Sequence, residues 1–247
     1  MILAAGYGTR LKPITDKKPK ALLQINKIPL LQIIIQKLIA LGVNEIIINT
    51  HHLSDQVENF VRKNDRFGVS IEISYEPEIL GTGGGLNKVS YFFDDGKPFF
   101  LHNVDILSTI NLKQMYLHHI ENKAIATLAL QKRETSRYFI VDSQNYICGH
   151  EDQDKHRTRL KRNPQGPSRL MAFCGIHVIS PKIFNYIEES GRFSIVDVYL
   201  KIIEKNLPII GYPVDKFYWI DIGKLDSLHQ INKQIREGNI NMKSLIE

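Results

Sequence analysis

Short apolar runs alternate with segments of helical period through the first half of the chain. Met1-Ile2-Leu3-Ala4-Ala5 is continuously apolar and reads as a buried strand. Pro29 to Leu41 repeats apolar residues at helical spacing, with Pro29 at the first turn and Gly42 as the stop. Glu45 to Asn49 is a β-branched strand, and a helix to Lys63 follows that Ser54 or Asp55 would cap. Val69 to Tyr75 alternates as a half-buried strand, and Phe99 to Val104 is a strand ending at Asp105. Asn111, with Gln114 in capping register, opens a helix through His119. Strand and helix in alternation imply crossover units and a mostly parallel sheet.

The second half is less regular. Ala124 to Gln131 reads as a strand, and Tyr138–Val141 and Tyr146–Cys148 flank the turn Asp142-Ser143-Gln144-Asn145 as a hairpin. Lys155 to Arg169 is polar and basic without period, hence a loop. Met171 to Ile179 is a strand, and Pro181 to Glu188 a helix capped by Ser180. Ser194 and Asp197 open a helix to Lys205. Strands at Ile209–Tyr212 and Tyr218–Ile222 precede a last helix from Leu225 to Glu237, stopped by Gly238. With no linker and no repeat, one α/β domain over residues 1–247 is expected.

Composition narrows the class without choosing a function. Of 247 residues, 43% are apolar and 23% charged, which excludes a disordered chain. The formal net charge of +6 suits a phosphorylated small substrate as well as nucleic acid. The two cysteines, Cys148 and Cys174, form no Cys-x-x-Cys, so a reducing cytoplasm is expected. The N-terminal apolar run is too short for a signal peptide, and Gln32, Gln36 and Lys37 interrupt the longest greasy stretch, so no membrane association is expected.

The chemistry-bearing segments are two glycine runs and two aspartates. Gly6 and Gly8 follow the first strand, where glycines let backbone amides approach phosphates. Leu11 stands where a dinucleotide fingerprint needs glycine, and no Gly-Lys-Ser/Thr occurs, so neither common nucleotide motif is met. Arg10, Lys12, Lys17, Lys18 and Lys20 follow, stiffened by Pro13 and Pro19, as a polyphosphate requires. The second run, Gly81-Thr82-Gly83-Gly84-Gly85, reads as a loop against which a planar base can lie. Asp105 sits at the carboxyl end of a strand, where open α/β sheets bind ligands, and a carboxylate there suits magnesium. Asp221, between Ile220 and Ile222, is costly to bury unless paired or metal-bound. His51-His52 on a strand would point to opposite faces, so they read as structural or supporting residues.

The string Leu3-Ala4-Ala5-Gly6-Tyr7-Gly8-Thr9-Arg10-Leu11 with Pro13, Thr15, Pro19 and Lys20 resembles the signature of the sugar-1-phosphate nucleotidyltransferases, G-x-G-T-R-L-x-P-x-T followed by P-K. Glu76 with Leu80-Gly81-Thr82-Gly83 is similar to that family's base-recognition segment, and Trp219-Ile220-Asp221-Ile222-Gly223 to its W-x-D-x-G. Asn103-Val104-Asp105 departs from the family's G-D by carrying Val104. Phe173-Cys174-Gly175-Ile176 and Ser180-Pro181-x-x-Phe184 resemble a stretch near the sugar pocket, while the F-x-E-K-P element of larger members is missing.

The resemblance implies an α/β three-layer sandwich, Rossmann-like, with a mixed, largely parallel sheet. It implies Arg10, Lys20 and Asp105 as catalytic residues. Ala4, Ala5, Gly6, Gly8, Thr9, Arg10, Lys20, Glu76, Gly81 and Asn103 would bind nucleotide, and Gly175 sugar, the sugar-binding part lying mainly in 124–222. Asp105 and Asp221 would hold Mg2+. The partners implied are a nucleoside triphosphate and a sugar 1-phosphate, with no nucleic acid, in a monomer or homodimer. Compact length and the missing element favour UTP with N-acetylmuramate 1-phosphate. Guanylyl transfer to mannose 1-phosphate or a heptose 1-phosphate, and a non-catalytic nucleotide-sugar sensor, stand as alternatives.

Overall fold

The computed structural model describes residues 1–246. In chain order the elements are β1 (Ile2–Leu3), α1 (Ile14–Lys17), β2 (Gln24–Ile25), β3 (Ile28–Pro29), α2 (Leu30–Ala40), β4 (Glu45–Thr50), α3 (Ser54–Lys63), β5 (Ser70–Tyr75), α4 (Gly81–Lys88), β6 (Phe99–Asn103), β7 (Ile106–Ser108), α5 (Leu112–Glu121), β8 (Ala126–Gln131), β9 (Arg137–Val141), β10 (Ile147–Asp152), β11 (Arg157–Leu160), β12 (Arg169–Ile179), α6 (Ile195–Glu204), β13 (Ile209–Pro213), β14 (Trp219–Asp221), α7 (Leu225–Arg236) and α8 (Met242–Ile246). This is an α/β chain with a mixed sheet. Its residues group into two compact units. No helix among the described residues is long and apolar enough to cross a membrane.

The first unit comprises Met1–Ile79, His102–Ile110 and the chain from Phe217 to the end of the described residues. Four strands run in the order β6-β1-β4-β5, all parallel, beside the antiparallel pairs β2–β3 and β7–β14. The short first strand is central, as its apolar run predicts: Ile2 pairs with Ile48 on one side and His102 on the other. It ends at Leu3, not Ala5, because the Ala4 amide donates to Asn49 Oδ1 at 2.8 Å. Ile46, Ile47 and Ile48 of β4 are all buried, the continuous pattern of a parallel strand covered on both faces. Helix α2 buries Leu30, Leu31, Ile33, Ile34, Ile35 and Leu38, and Gly42 follows it at φ 87°.

Two local expectations fail here. Neither Ser54 nor Asp55 caps α3. Leu53, at φ 55°, turns the backbone into the helix without a side-chain bond, and the Ser54 hydroxyl pairs with Thr50 Oγ1 at 2.7 Å. Helix α8 lies past Gly238, where the sequence pattern stops, and is anchored by the buried Leu245.

The second unit comprises Leu80–Leu101 and Asn111–Lys216. Strands β11, β10, β9, β12 and β8 are successive antiparallel neighbours, and β13 lies parallel beside β8. The predicted hairpin forms: Asp142 Oδ1 accepts from the amides of Gln144 at 3.0 Å and Tyr146 at 2.9 Å. The predicted caps form too, Asn111 on Gln114 N at 3.0 Å and Ser194 on Val196 N at 3.2 Å. The Pro181 segment is shorter than expected, a 3-10 helix over Pro181–Tyr186.

The segment Lys155–Arg169 is not a plain loop. It contains β11, and Arg169 opens β12. No apolar alternation marks β11 because most of it is exposed. Its backbone ladder to β10 and the Arg159–Asp197 ion pair at 2.5 Å hold it.

The larger correction concerns Gly81 to Gly85, which form the first turns of α4 rather than a loop. Phe193 explains the glycines. Its amide donates to Leu80 O and its carbonyl accepts from Gly83 N, both at 3.0 Å. A Cβ on Gly83 would lie 2.4 Å from the Phe193 ring, and one on Gly84 2.1 Å from Gly191 O. Helix propensity argues against glycine by about 1 kcal/mol per residue, but contacts this short leave no room for a methyl group.

Candidate functional site

The first glycine loop opens a cleft of about 240 Å³ at the carboxyl ends of β1 and β6. Backbone of Leu3 and Ala4 enters it from β1, and Asn103, Val104 and Asp105 from β6. Gly6, Gly8, Thr9, Arg10 and Lys20 complete it with Gly223. Ala5 is buried behind the lining. Gly8 must be glycine: its φ is 64°, and a Cβ would meet Thr15 Cγ2 at 2.9 Å. The Thr15 hydroxyl donates to Gly8 O at 2.9 Å, and the fully buried Leu11 anchors the turn that presents Arg10. Nothing lies within 4 Å of the position a Cβ would take on Gly6, so that backbone stays approachable.

Two charges meet on the far wall. Lys20 Nζ forms an ion pair with Asp105 Oδ2, and their side chains are only 11% and 21% exposed. Such cover reduces screening by solvent and salt. Val104, where the family signature has glycine, is buried and donates its amide to Leu3 O at 3.1 Å, and Asp105 beside it still lines the cleft.

Asp221 reaches the same neighbourhood through a second sheet. β7 and β14 pair antiparallel, with Asp221 opposite Ile106, and Ile222 N donates to Asp105 O at 2.9 Å. A Cβ on Gly223 would lie 2.5 Å from Arg10 Nη2 and 2.8 Å from Asp221 Oδ1. Gly223 is thus the gap through which the guanidinium and the carboxylate approach each other. Sequence reading took it as part of a motif and missed this need.

Among the described residues no cluster of three or more His, Cys, Asp and Glu side chains could hold a metal. Asp105 lines the cleft, and Asp221 is tied to its backbone through Ile222 N. Two such hard oxygen ligands would suit Mg2+.

Glu76 is fully buried and accepts from Asn49 Nδ2 at 2.8 Å, so its carboxylate is turned inward. Asn49 in turn accepts from Ala4 N, linking the ends of β5, β4 and β1. Asn49 is a functional candidate that the sequence reading passed over. Its one signal is an amide ending an otherwise apolar strand.

Gly81, at φ 71°, starts α4 in the second unit, and Gly175, at φ 74°, sits at a register shift of β12 between Phe173 and His177. His102, on β6, is fully buried, and burial lowers its pKa to about 4. Lys37 is buried too, its Nζ donating to Ser108 O at 2.6 Å, and burial lowers its pKa to about 8.

A glycine loop with cations and carboxylates lies where open α/β sheets offer a ligand site, at the carboxyl ends of parallel strands. The model of the nucleotidyl transferase family matches residues 1–238, and the chain belongs to that family. It is 31% identical over 245 residues to a UTP–glucose-1-phosphate uridylyltransferase of Synechocystis sp., covering 93% of this chain and 61% of that protein. It is 27% identical over 230 residues to a mannose-1-phosphate guanyltransferase of Aspergillus oryzae, covering 91% of this chain and 60% of that protein. The chain therefore spans about three fifths of the length of these curated relatives. Its fold is similar to that of a Bacillus anthracis protein assigned as a glucose-1-phosphate thymidylyltransferase, with a TM-score of 0.80, 23% identity, and 97% and 95% of the two chains covered.

Proposed function

We propose that this chain transfers a nucleotidyl group from a nucleoside triphosphate to a sugar 1-phosphate and releases pyrophosphate. The observation that carries the reading is the single cleft holding the glycine loop, Arg10, Lys20 and Asp105. An oxygen of the sugar phosphate attacks the α-phosphorus, and the bond from that phosphorus to the β-phosphate bridge breaks. No covalent enzyme intermediate is needed, so positioning and charge neutralisation carry the rate. Backbone at Ala4, Gly6 and Thr9 lies along the triphosphate, and the buried Ala5 supports the turn between them. Arg10 and Lys20 neutralise charge on the departing pyrophosphate.

Asp105 and Asp221 would hold Mg2+, which would supply positive charge against the phosphates. Lys20 turns from the Asp105 carboxylate to phosphate oxygens. Asn103 contacts the nucleoside. Glu76, buried on Asn49, orients that edge rather than presenting its own carboxylate. Gly175 belongs to the sugar-binding part in 124–222.

The donor this reading favours is UTP, supported by the Synechocystis relative. The missing F-x-E-K-P element favours N-acetylmuramate 1-phosphate as acceptor, with glucose 1-phosphate as its competitor. The likeness to the Aspergillus protein supports a second reading, GTP with mannose 1-phosphate. Pyrophosphate release decides among them, measured for ATP, CTP, GTP, UTP and dTTP against glucose, mannose, heptose and N-acetylmuramate 1-phosphates with Mg2+. UTP with one acceptor should lead. Silence from every pair would refute the transferase, and a lead by GTP would replace the donor.

A further inference from the structure

The connection from β4 into α3 makes polar bonds to the segment that carries the glycine loop. His51 Nδ1 lies 2.7 Å from Glu76 O, and its Nε2 lies 2.9 Å from the Tyr7 hydroxyl. A carbonyl only accepts, so Nδ1 carries the proton and Nε2 accepts from the Tyr7 O–H. The two rings meet edge to face with centroids 5.0 Å apart. His52 Nε2 donates to Thr15 O at 3.2 Å, and Gln56 Nε2 donates to Lys17 O at 3.0 Å. With Asn49 on Ala4, one short connection ties residues 4, 7, 15 and 17.

Those tethers bracket Gly6, Gly8, Thr9 and Arg10 and lead into Lys20. The bracketed segment has little structure of its own, only a 3-10 turn and the one-turn helix α1. Holding it in one conformation opposes considerable backbone entropy. A loop fixed before its ligand arrives binds more tightly than one ordered by binding.

We propose that residues 49–56 form a clamp that pre-organises the phosphate-binding loop, with His51 and His52 as positioning residues that set triphosphate affinity. The two histidines divide the work: His51 holds the loop's crest through Tyr7, and His52 holds its return arm through Thr15, whose hydroxyl bonds Gly8 O. The affinity half of this inference rests on the proposed reaction, whereas the ordering of the loop does not.

The experiment compares wild type with His51→Leu, His52→Leu, the double variant and His52→Gln, which keeps a donor near the Nε2 position. Amide hydrogen exchange is read across the chain, with thermal melting and both substrate Michaelis constants. The double variant should exchange faster within residues 4–20 alone and raise the triphosphate KM about tenfold, the scale of lost hydrogen bonds. Its kcat and sugar-phosphate KM should stay near wild type. His52→Gln should recover most of the effect of His52→Leu. Unchanged exchange in 4–20 would overturn the clamp, as would equal acceleration throughout the first unit with a lower melting point. Faster loop exchange with an unchanged triphosphate KM would overturn its role in affinity. If wild type transfers no nucleotide from any donor, the proposed reaction falls, and the exchange comparison alone decides the clamp.

Discussion

The two glycine runs look alike in sequence and are used for opposite purposes. In the first, Gly6 has open space around it and Gly8 supplies a left-handed turn, so the backbone is left bare for a ligand. In the second, Gly83 and Gly84 lie inside a helix, and their missing side chains are replaced by the Phe193 ring and the Gly191 carbonyl. One run keeps space empty, while the other lets protein fill it. Glycine density alone therefore says only that a Cβ is unwelcome. What occupies the vacated volume decides between a ligand and a packing contact.

This contrast predicts that damage near the first run shows in activity and damage in the second shows in stability. The largest effect should come from the charges served by the first run. Asp105→Asn or Lys20→Ala should lower turnover at saturating triphosphate by roughly a hundredfold or more, the scale of a lost electrostatic stabiliser. Each change strands the other charge of a largely covered pair, so urea midpoints should fall as well, with activity the property lost most. Near wild-type turnover in either variant would remove that residue from the chemistry.

Gly84→Ala should do the reverse. Alanine gains about 1 kcal/mol in helix propensity. The 2.1 Å approach to Gly191 O is to backbone, which cannot swing aside as a side chain can. A contact this short puts overpacking at the upper end, about 2–3 kcal/mol, so the net loss in urea unfolding should be about 1–2 kcal/mol. A stabilised Gly84→Ala protein would show that the helix has room for a methyl group at 84 and that the Gly191 carbonyl does not fill that volume.

Legibility followed the same divide. The parallel strands of the first unit were readable because burial on both faces makes β4 a continuous isoleucine run and β1 an unbroken apolar start. Hairpin and caps were readable because Asp142, Asn111 and Ser194 act on amides only a few residues away. Strand β11 was invisible because its order comes from a ladder and an ion pair, neither of which leaves an apolar pattern. In the site, the short-range signature of Gly8, Arg10 and Lys20 was plain, and the Asp105 position followed from the strand end. The inward turn of Glu76, the amide of Asn49 and the crowding at Gly223 were hidden, since each depends on partners distant in sequence.

Gly8→Ala should give an intermediate result. An L-residue at φ 64° costs about 1–2 kcal/mol, and the new methyl would also press on Thr15 Cγ2. Part of that pressure is removable: Thr15→Ser deletes Cγ2 and keeps the hydroxyl that donates to Gly8 O. The double variant should therefore regain some of the stability lost by Gly8→Ala, measured as urea midpoints against each single variant. Strict additivity would show that backbone strain, not the methyl contact, makes glycine necessary at this position.

Gly6→Ala should be the gentlest to the fold and the sharpest test of the contrast. Nothing lies within 4 Å of the added methyl, and Gly6 is not among the residues with positive φ. Reduced freedom of the unfolded chain even favours alanine slightly, so the change in unfolding free energy should stay within about 0.5 kcal/mol. The methyl nevertheless occupies volume at the wall of the cleft where the backbone is open to a phosphate. Triphosphate KM should rise several-fold while the melting point holds. If the protein is instead destabilised by more than about 1 kcal/mol, Gly6 is a packing glycine like Gly84, and the division between the two runs fails at its clearest position.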